Sequence, residues 1–117
     1  MKYVVIQAHR SGYPRPIRVA KGDLLEIGQR YEGNESWLDW YLCTCAGQEP
    51  GWVPAQLIER VGVAQGRALE HYSAHELDVD PGQQVLALLP MNGWLWCRRA
   101  GNGELGWLPL EKLQLLE

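Results

Sequence analysis

A duplicated segment is the feature that most restricts the fold of this chain. Residues 40–54 read WYLCTCAGQEPGWVP, and residues 94–109 read WLWCRRAGNGELGWLP. Trp, Cys, Gly, Trp and Pro recur in the same order, and the second copy has one extra residue in its turn. Upstream, VAKGDLLEI (19–27) matches VDPGQQVLAL (79–88) around Gly22 and Gly82. A repeat of this length predicts two copies of one small structural unit.

Each copy has the pattern of short strands rather than of helices. Runs such as YVVI (3–6), LLEI (24–27) and WYLC (40–43) are β-prone and are separated by turn residues. AGQ (46–48) and GNG (101–103) are tight-turn signals between two such runs. In the tail 108–116 we expect one helical turn followed by a strand. The predicted fold is therefore all-β, with two small five-stranded barrels in tandem.

Composition excludes several classes of protein. The chain has 117 residues, a net charge of −3 and six Trp, which is typical of a folded domain and disfavours a general nucleic-acid binder. No apolar run is long enough to cross a bilayer, and no export signal opens the sequence, so we expect a cytoplasmic protein. The three Cys are odd in number, which predicts reduced thiols. Their spacing and that of the His residues do not predict a metal site.

The order and spacing of these motifs resemble the Src homology 3 (SH3) family, twice in tandem, closest to its divergent bacterial members. In the second copy, ALEHY (68–72) resembles the family's opening ALYDY, and ELDV (76–79) its acidic RT-loop segment. GWVP (51–54) and GWLP (106–109) resemble the element of Gly, aromatic, hydrophobic residue and Pro. The resemblance implies barrels at 1–60 and 67–117 and a linker at 61–66. The first RT loop would be long and basic, and the second acidic.

The resemblance also implies a function, which is docking of an extended peptide on a row of aromatic side chains. An acidic RT loop would then recognise a basic residue of the ligand, with Glu76 as its first carboxylate. Some aromatic positions of the family pattern hold other residues, namely Glu70, Lys112 and Leu57. The implied ligand-binding residues are Tyr72, Glu76, Trp94, Trp107 and Pro109 in the second copy, and Trp40, Trp52, Pro54 and Tyr13 in the first.

Strand alternation indicates which of these side chains reach the surface. Residues three apart on a strand point to opposite faces, so core positions for Cys43 and Cys97 would turn Trp40 and Trp94 outward. We therefore expect both indole rings to be exposed. Three uses stay open for such rings: peptide binding, packing between the units or in a homodimer, and, least favoured, nucleic-acid binding. Oligomeric state and partner are not predicted.

Charge and chemistry complete the expectations. Residues 1–60 carry seven basic and seven acidic side chains, whereas residues 61–117 carry four basic and seven acidic ones. This asymmetry favours a pairing of the basic segment at residues 9–16 with the acidic RT loop of the second copy. No catalytic constellation or phosphate-binding loop is present in the sequence, which predicts a non-enzymatic protein without catalytic residues, metal or cofactor.

Overall fold

The structure is a computed structural model that describes residues 1–116, and it contains no α-helix within that range. Two single turns of 3₁₀ helix, Ala55–Leu57 and Leu110–Lys112, each precede a short strand. The strands are β1 (Lys2–Val5), β2 (Arg18–Val19), β3 (Leu24–Arg30), β4 (Trp40–Thr44), β5 (Gly51–Pro54), β6 (Ile58–Arg60), β7 (Gln65–Ala68), β8 (Tyr72–Ser73), β9 (Gln84–Met91), β10 (Trp94–Arg99), β11 (Leu105–Pro109) and β12 (Leu113–Leu115).

The chain forms two compact units, and each unit holds one five-stranded antiparallel sheet. The first barrel is residues 14–74, with strand order β5-β4-β3-β7-β6 and the two-stranded ladder β2-β8. The second barrel is residues 1–13 together with 75 onwards, with strand order β11-β10-β9-β1-β12. The all-β prediction of two five-stranded, SH3-like barrels is confirmed.

The predicted boundaries are wrong, because the two repeats exchange their first strands. Strand β1 pairs with β9 and β12 of the second barrel, in the register Val5↔Leu113. Strand β7, which opens the second repeat, pairs with β3 and β6 of the first barrel, in the register Ala68↔Ile58. The chain therefore passes from one barrel to the other at 13–14 and again at 74–75, and not at the expected linker 61–66.

A short connection explains this exchange. Only residues 61–64 separate β6 from β7, and the two strands form a hairpin closed by a hydrogen bond from the Val61 amide to the Gln65 carbonyl. Hairpin loops of this length bring their strands together at little entropic cost. Because β7 takes the edge beside β6, β1 pairs with the equivalent edge of the other barrel, beside β12.

The core follows the alternation read from the sequence. On β10, Leu95 and Cys97 are buried while Trp94 and Trp96 are half-buried, and Cys43 on β4 is fully buried. The predicted turns after β4 and β10 are confirmed, with positive φ at Gly47, Gly101 and Gly103. The core of the second barrel consists of Val5, Leu77, Val79, Val85, Leu95, Cys97, Leu108 and Leu113.

The tail of the chain also follows its prediction. The 3₁₀ turn Leu110–Lys112 leads directly into β12, where Leu113 is buried. The first repeat shows the same arrangement, with the turn Ala55–Leu57 leading into β6. The 3₁₀ turn thus positions Leu57 and Lys112 at corresponding places in the two barrels.

Candidate functional site

The first barrel carries a cluster of four aromatic side chains. The rings of Tyr31 and Trp52 meet edge to face, with their centroids 5.3 Å apart. The ring centroid of Trp37 lies 5.9 Å from that of Tyr31, and the Tyr72 hydroxyl donates a 2.8 Å hydrogen bond to the Trp52 carbonyl. Tyr31, Trp37 and Trp52 remain half-buried, so the cluster presents aromatic surface to solvent. We call these four residues the aromatic cluster.

Tyr72 reaches this cluster because of the strand exchange. The sequence grouped Tyr72 with Trp94 and Trp107, which follow it in the same repeat, and that grouping is wrong. Tyr72 lies on β8, which pairs with β2 inside the first barrel. It is buried, and its hydroxyl is hydrogen-bonded to the Trp52 carbonyl. A groove that contains Tyr72 therefore contains Trp52 of β5, whereas Pro54 on the same strand is fully buried.

Trp40 is buried, with only 7% of its surface exposed, so its expected exposure is wrong. It stands at the first position of β4, opposite Pro54, which is itself fully buried. The Tyr31 amide donates to the Trp40 carbonyl, which closes the loop 31–39 directly onto this end of the strand. Alternation turned Trp40 away from Cys43 as predicted, but facing away from the core does not by itself produce exposure.

The second barrel has polar groups where the first has Tyr72 and Leu57. The registers Val5↔Leu113 and Ala68↔Ile58 are equivalent, so His9 stands at the place of Tyr72, and Lys112 at the place of Leu57. Nε2 of His9 lies 2.6 Å from Oε1 of Glu76, and Nδ1 of His9 lies 3.0 Å from Nζ of Lys112. We call His9, Glu76 and Lys112 the polar triad.

Tryptophan borders the polar triad. The Trp94 indole meets the His9 ring edge to face at 5.7 Å and is half-buried. Trp107 is buried and its ring lies 5.2 Å from that of Trp96, and Pro109 is fully buried. Of the residues expected to line this groove, Glu76 and Trp94 thus lie beside His9, whereas Trp107 and Pro109 lie deeper in the fold.

The acidic RT loop of the second barrel is occupied by the basic segment of the first repeat. Arg10 Nη2 lies 2.6 Å from Oδ1 of Asp80, and this ion pair raises the pKa of Arg10. The Ser11 amide donates to Asp78 at 2.7 Å. The pairing expected from the charge asymmetry is therefore present, and it occurs inside one barrel. Tyr13 belongs to the same barrel and is 46% exposed.

A second set of charges holds the turn after β10. Arg99 contacts Glu104, and its Nη2 donates to the Asp78 carbonyl at 2.7 Å. His75 lies 3.1 Å from Glu104. The hydrogen bond from His75, followed by the charge of Arg99, lowers the pKa of Glu104 below its ordinary value. These contacts link the RT loop to the β10–β11 turn.

The cysteines have the chemistry of core residues. Burial raises the pKa of Cys97 to about 12 and that of Cys43 to about 11, so both thiols stay protonated at neutral pH. A nucleophilic cysteine requires the opposite shift. Within residues 1–116, no group of three His, Cys, Asp or Glu side chains is placed to hold a metal ion. In the same range, no helix is long and apolar enough to cross a membrane.

Comparison with known proteins gives the family. The variant SH3 domain family matches residues 2–61, which is just over half of the chain. The chain belongs to the variant SH3 family. SH3 domains are typically non-catalytic modules of protein interaction, and this SH3 chain shares their β-rich fold. The match lies on the first repeat, although the sequence placed the second repeat closer to the family.

One curated relative is similar to part of this chain. The human guanine nucleotide exchange factor DBS is 41% identical over 54 residues, which is 46% of this chain. The aligned segment spans only 4% of the length of DBS. No solved structure gives a significant match. The matched range 2–61 includes β1, the strand that this SH3 chain places in its second barrel.

Sequence reasoning missed three of the residues that shape the two grooves, namely Tyr31, Trp37 and His9. Tyr31 and Trp37 border the loop before β4, and no counterpart in the other repeat marks them. His9 lacked a signal because its place is recognised only by register, whereas the family pattern already marked the position of Lys112. Aligning the two repeats on Val5 and Ala68 places His9 at the position equivalent to Tyr72.

Proposed function

We propose that this protein is a non-enzymatic interaction module whose first barrel binds an extended peptide segment of a partner protein. The aromatic cluster supports this most directly, because it keeps three half-buried rings at the surface of the first barrel. The family to which the chain belongs also typically serves protein interaction. Exposed aromatic surface of this kind is characteristic of contact sites. Of the two grooves that the resemblance implied, we assign this binding to the one in the first barrel.

The physical basis is the fit between flat rings and a pre-ordered ligand. A Pro-rich segment in the polyproline conformation is already extended, so it loses little conformational entropy on binding. Tyr31 and Trp52 meet at 87°, and perpendicular rings form a notch that can receive a prolyl ring. The hydrogen bond from Tyr72 to the Trp52 carbonyl fixes one end of the cluster.

Charge near the cluster favours a basic ligand residue. The loop 31–39 carries Glu32, Glu35 and Asp39, all exposed. Asp39 pairs with Arg30 at 3.0 Å, while Glu32 and Glu35 form no ion pair of 4.0 Å or less with any described residue. A Lys or Arg beside the apolar part of the peptide would meet these carboxylates. We therefore expect the first barrel, and not the RT loop of the second, to prefer basic peptides.

The test is a titration of the full chain with a capped Pro-rich peptide carrying one Arg. The indole N–H signals in a ¹⁵N spectrum report separately on Trp37 and Trp52 in the first barrel, and on Trp94 in the second. We expect shifts at Trp37 and Trp52. Trp37→Ala should weaken binding about tenfold or more, because a tryptophan anchor contributes about 2 kcal/mol.

Leu38→Ala is the matched control. Leu38 is 55% exposed in the same loop, so its replacement perturbs the loop without removing an aromatic ring. Equal affinities for the two variants would contradict the proposal, as would shifts confined to Trp94.

The burial of Trp40 and Trp107 supports a second candidate. Rings enclosed in the folded chain are available for packing and not for a ligand, which agrees with the alternative of aromatic faces used within the protein or a homodimer. A chain whose Trp37 and Trp52 signals respond to no peptide but change with protein concentration would support it.

Nucleic-acid binding is disfavoured further, because Arg10 is engaged by Asp80. The tandem and bacterial assignments and the cytoplasmic location stay predictions.

A further inference from the structure

The polar triad suggests a ligand of the opposite charge for the second barrel. Lys112 Nζ can only donate, so Nδ1 of His9 must accept from it. With Nδ1 as the acceptor, the ring N–H lies on Nε2 and donates to Glu76 Oε1 at 2.6 Å. His9 is buried, and the Glu76 side chain is only 15% exposed. The carboxylate expected to bind a basic ligand is thus turned inward onto a histidine.

The other acidic groups of this RT loop are engaged as well. Asp80 accepts from Arg10 at 2.6 Å, and Asp78 accepts from the Ser11 amide at 2.7 Å. A basic ligand residue would have to displace these contacts. The segment that follows β1 therefore supplies, through Arg10, the positive charge that a basic peptide would otherwise bring.

Among the described residues, Lys112 has no carboxylate partner. Within residues 1–116, no ion pair of 4.0 Å or less joins its ammonium group to an Asp or Glu oxygen. The group is part-buried against the His9 ring, and Trp94 borders that ring at 5.7 Å. A positive charge beside a half-buried indole offers an anion contact next to an apolar one.

We propose that the second barrel binds an extended peptide segment through a Glu or Asp carboxylate, which accepts hydrogen bonds from Lys112 while the adjoining apolar part of the peptide lies on Trp94. This site is separate from the aromatic cluster, and it does not depend on peptide binding there. The two barrels would then select segments of opposite charge within one partner or in two.

Three capped peptides that differ at one central residue test this site on the full ¹⁵N-labelled chain. With Glu, Gln or Arg at that position, we expect the Glu peptide to shift the Trp94 indole signal and to bind about fivefold or more tighter than the Gln peptide. Raising the salt concentration should reduce this preference, because it depends on charge. The Arg peptide should act at Trp37 and Trp52 instead.

Variants at two lysines of the second barrel show which of them causes the preference for the Glu peptide. Lys112→Gln should make the Glu and Gln peptides bind equally, and Lys112→Arg should restore the preference. Lys2→Gln removes an exposed lysine of β1 and should change nothing. Each variant must first show the wild-type pattern of indole signals, which confirms its fold.

Each contrary result has a definite meaning. Tighter binding of the Arg peptide at Trp94, or a preference for Glu that survives Lys112→Gln, would overturn this site. If the Arg peptide binds at Trp37 and Trp52 but no peptide affects Trp94, the acidic-peptide site is wrong and the function proposed for the first barrel stands. If only the Glu peptide binds, the function proposed for the first barrel is wrong and the acidic-peptide site stands.

Discussion

At the scale of single residues, two glycines show why the repeated motif has its spacing. A Cβ atom added at Gly51 would lie 2.5 Å from Cγ2 and 2.8 Å from Cβ of Ile17. At Gly106 the added atom would lie 2.9 Å from Cγ of Leu77. Ile17 and Leu77 are both fully buried. The Gly of each G-W-hydrophobic-P element is therefore required by a close approach of the strand to a buried side chain of the RT loop.

Gly51→Ala should destabilise the first barrel by about 1–3 kcal/mol, because the new methyl group overpacks a buried site. Gly106→Ala should cost less, because the closest approach of the added atom is 2.9 Å at Gly106 and 2.5 Å at Gly51. Gly12→Ala is the control, with no atom within 4 Å of the added group. Urea denaturation of the three variants measures the order, and equal midpoints would contradict the packing argument.

The buried thiols predict a loss of stability at alkaline pH. In the unfolded chain a cysteine ionises near its ordinary pKa of 9.0, whereas the pKa is about 12 for Cys97 and about 11 for Cys43 in the fold. Above pH 9 the unfolded state releases these protons and the folded state retains them, so the free energy of unfolding falls as pH rises.

Denaturation of the reduced protein at pH 8 and pH 10 measures this effect. The decline between the two pH values should be smaller in Cys97→Ala than in the wild type, since other titrating groups contribute equally to both. A decline of the same size would show that Cys97 is not protected in the folded state.

At the scale of elements, the β6–β7 hairpin decides which strands pair. Each barrel needs one first strand beside its last one, and the sequence offers two candidates, β1 and β7. Only residues 61–64 lie between β6 and β7, while β1 is separated from β6 by more than fifty residues. Local pairing has the lower loop-closure cost. The exchange thus follows from the length of one connection rather than from the composition of the strands.

A double-mutant cycle tests the exchange. Val5 and Leu113 face each other in the core of the second barrel, so Val5→Ala and Leu113→Ala should be coupled by about 0.5 kcal/mol or more. Val5→Ala and Ile58→Ala should be additive, because Ile58 pairs with Ala68. Coupling between Val5 and Ile58 in place of Leu113 would show that each repeat keeps its own first strand.

At the scale of the whole molecule, the exchange redistributes charge. By sequence halves, all three net negative charges lie in residues 61–117. By barrels, residues 14–74 carry six basic and eight acidic side chains, and the second barrel carries five and six. Moving the first thirteen residues into the acidic half thus leaves both barrels weakly acidic, which agrees with the ion pair of Arg10 and Asp80.

Deleting residues 1–13 should unfold the second barrel and spare the first. The deletion removes β1, whose Val5 is part of the second core, while every strand of the first barrel lies in 14–74. The indole signals of Trp94, Trp96 and Trp107 should collapse to unfolded positions, and those of Trp37, Trp40 and Trp52 should stay dispersed. The reverse pattern would contradict the assignment of β1.

The grooves show how far sequence reasoning reaches into the site. Trp52 was expected in a groove and lies in the aromatic cluster, and Glu76 and Trp94 were expected together and do lie beside one ring. The partners of these residues could not be predicted, because Tyr72 and His9 change barrels with their strands. Trp40 was misjudged because alternation fixes the direction of a side chain but not what covers it.

The sequence alone determined the duplication, the β class, the turns with their glycines and the small core positions of Cys43 and Cys97, since these depend on spacing along one strand or turn. Only the tertiary structure decided which repeat supplies each first strand. The edges beside β6 and β12 are equivalent, so local pattern cannot choose between them. The choice depends on chain connectivity, and with it the composition of both grooves.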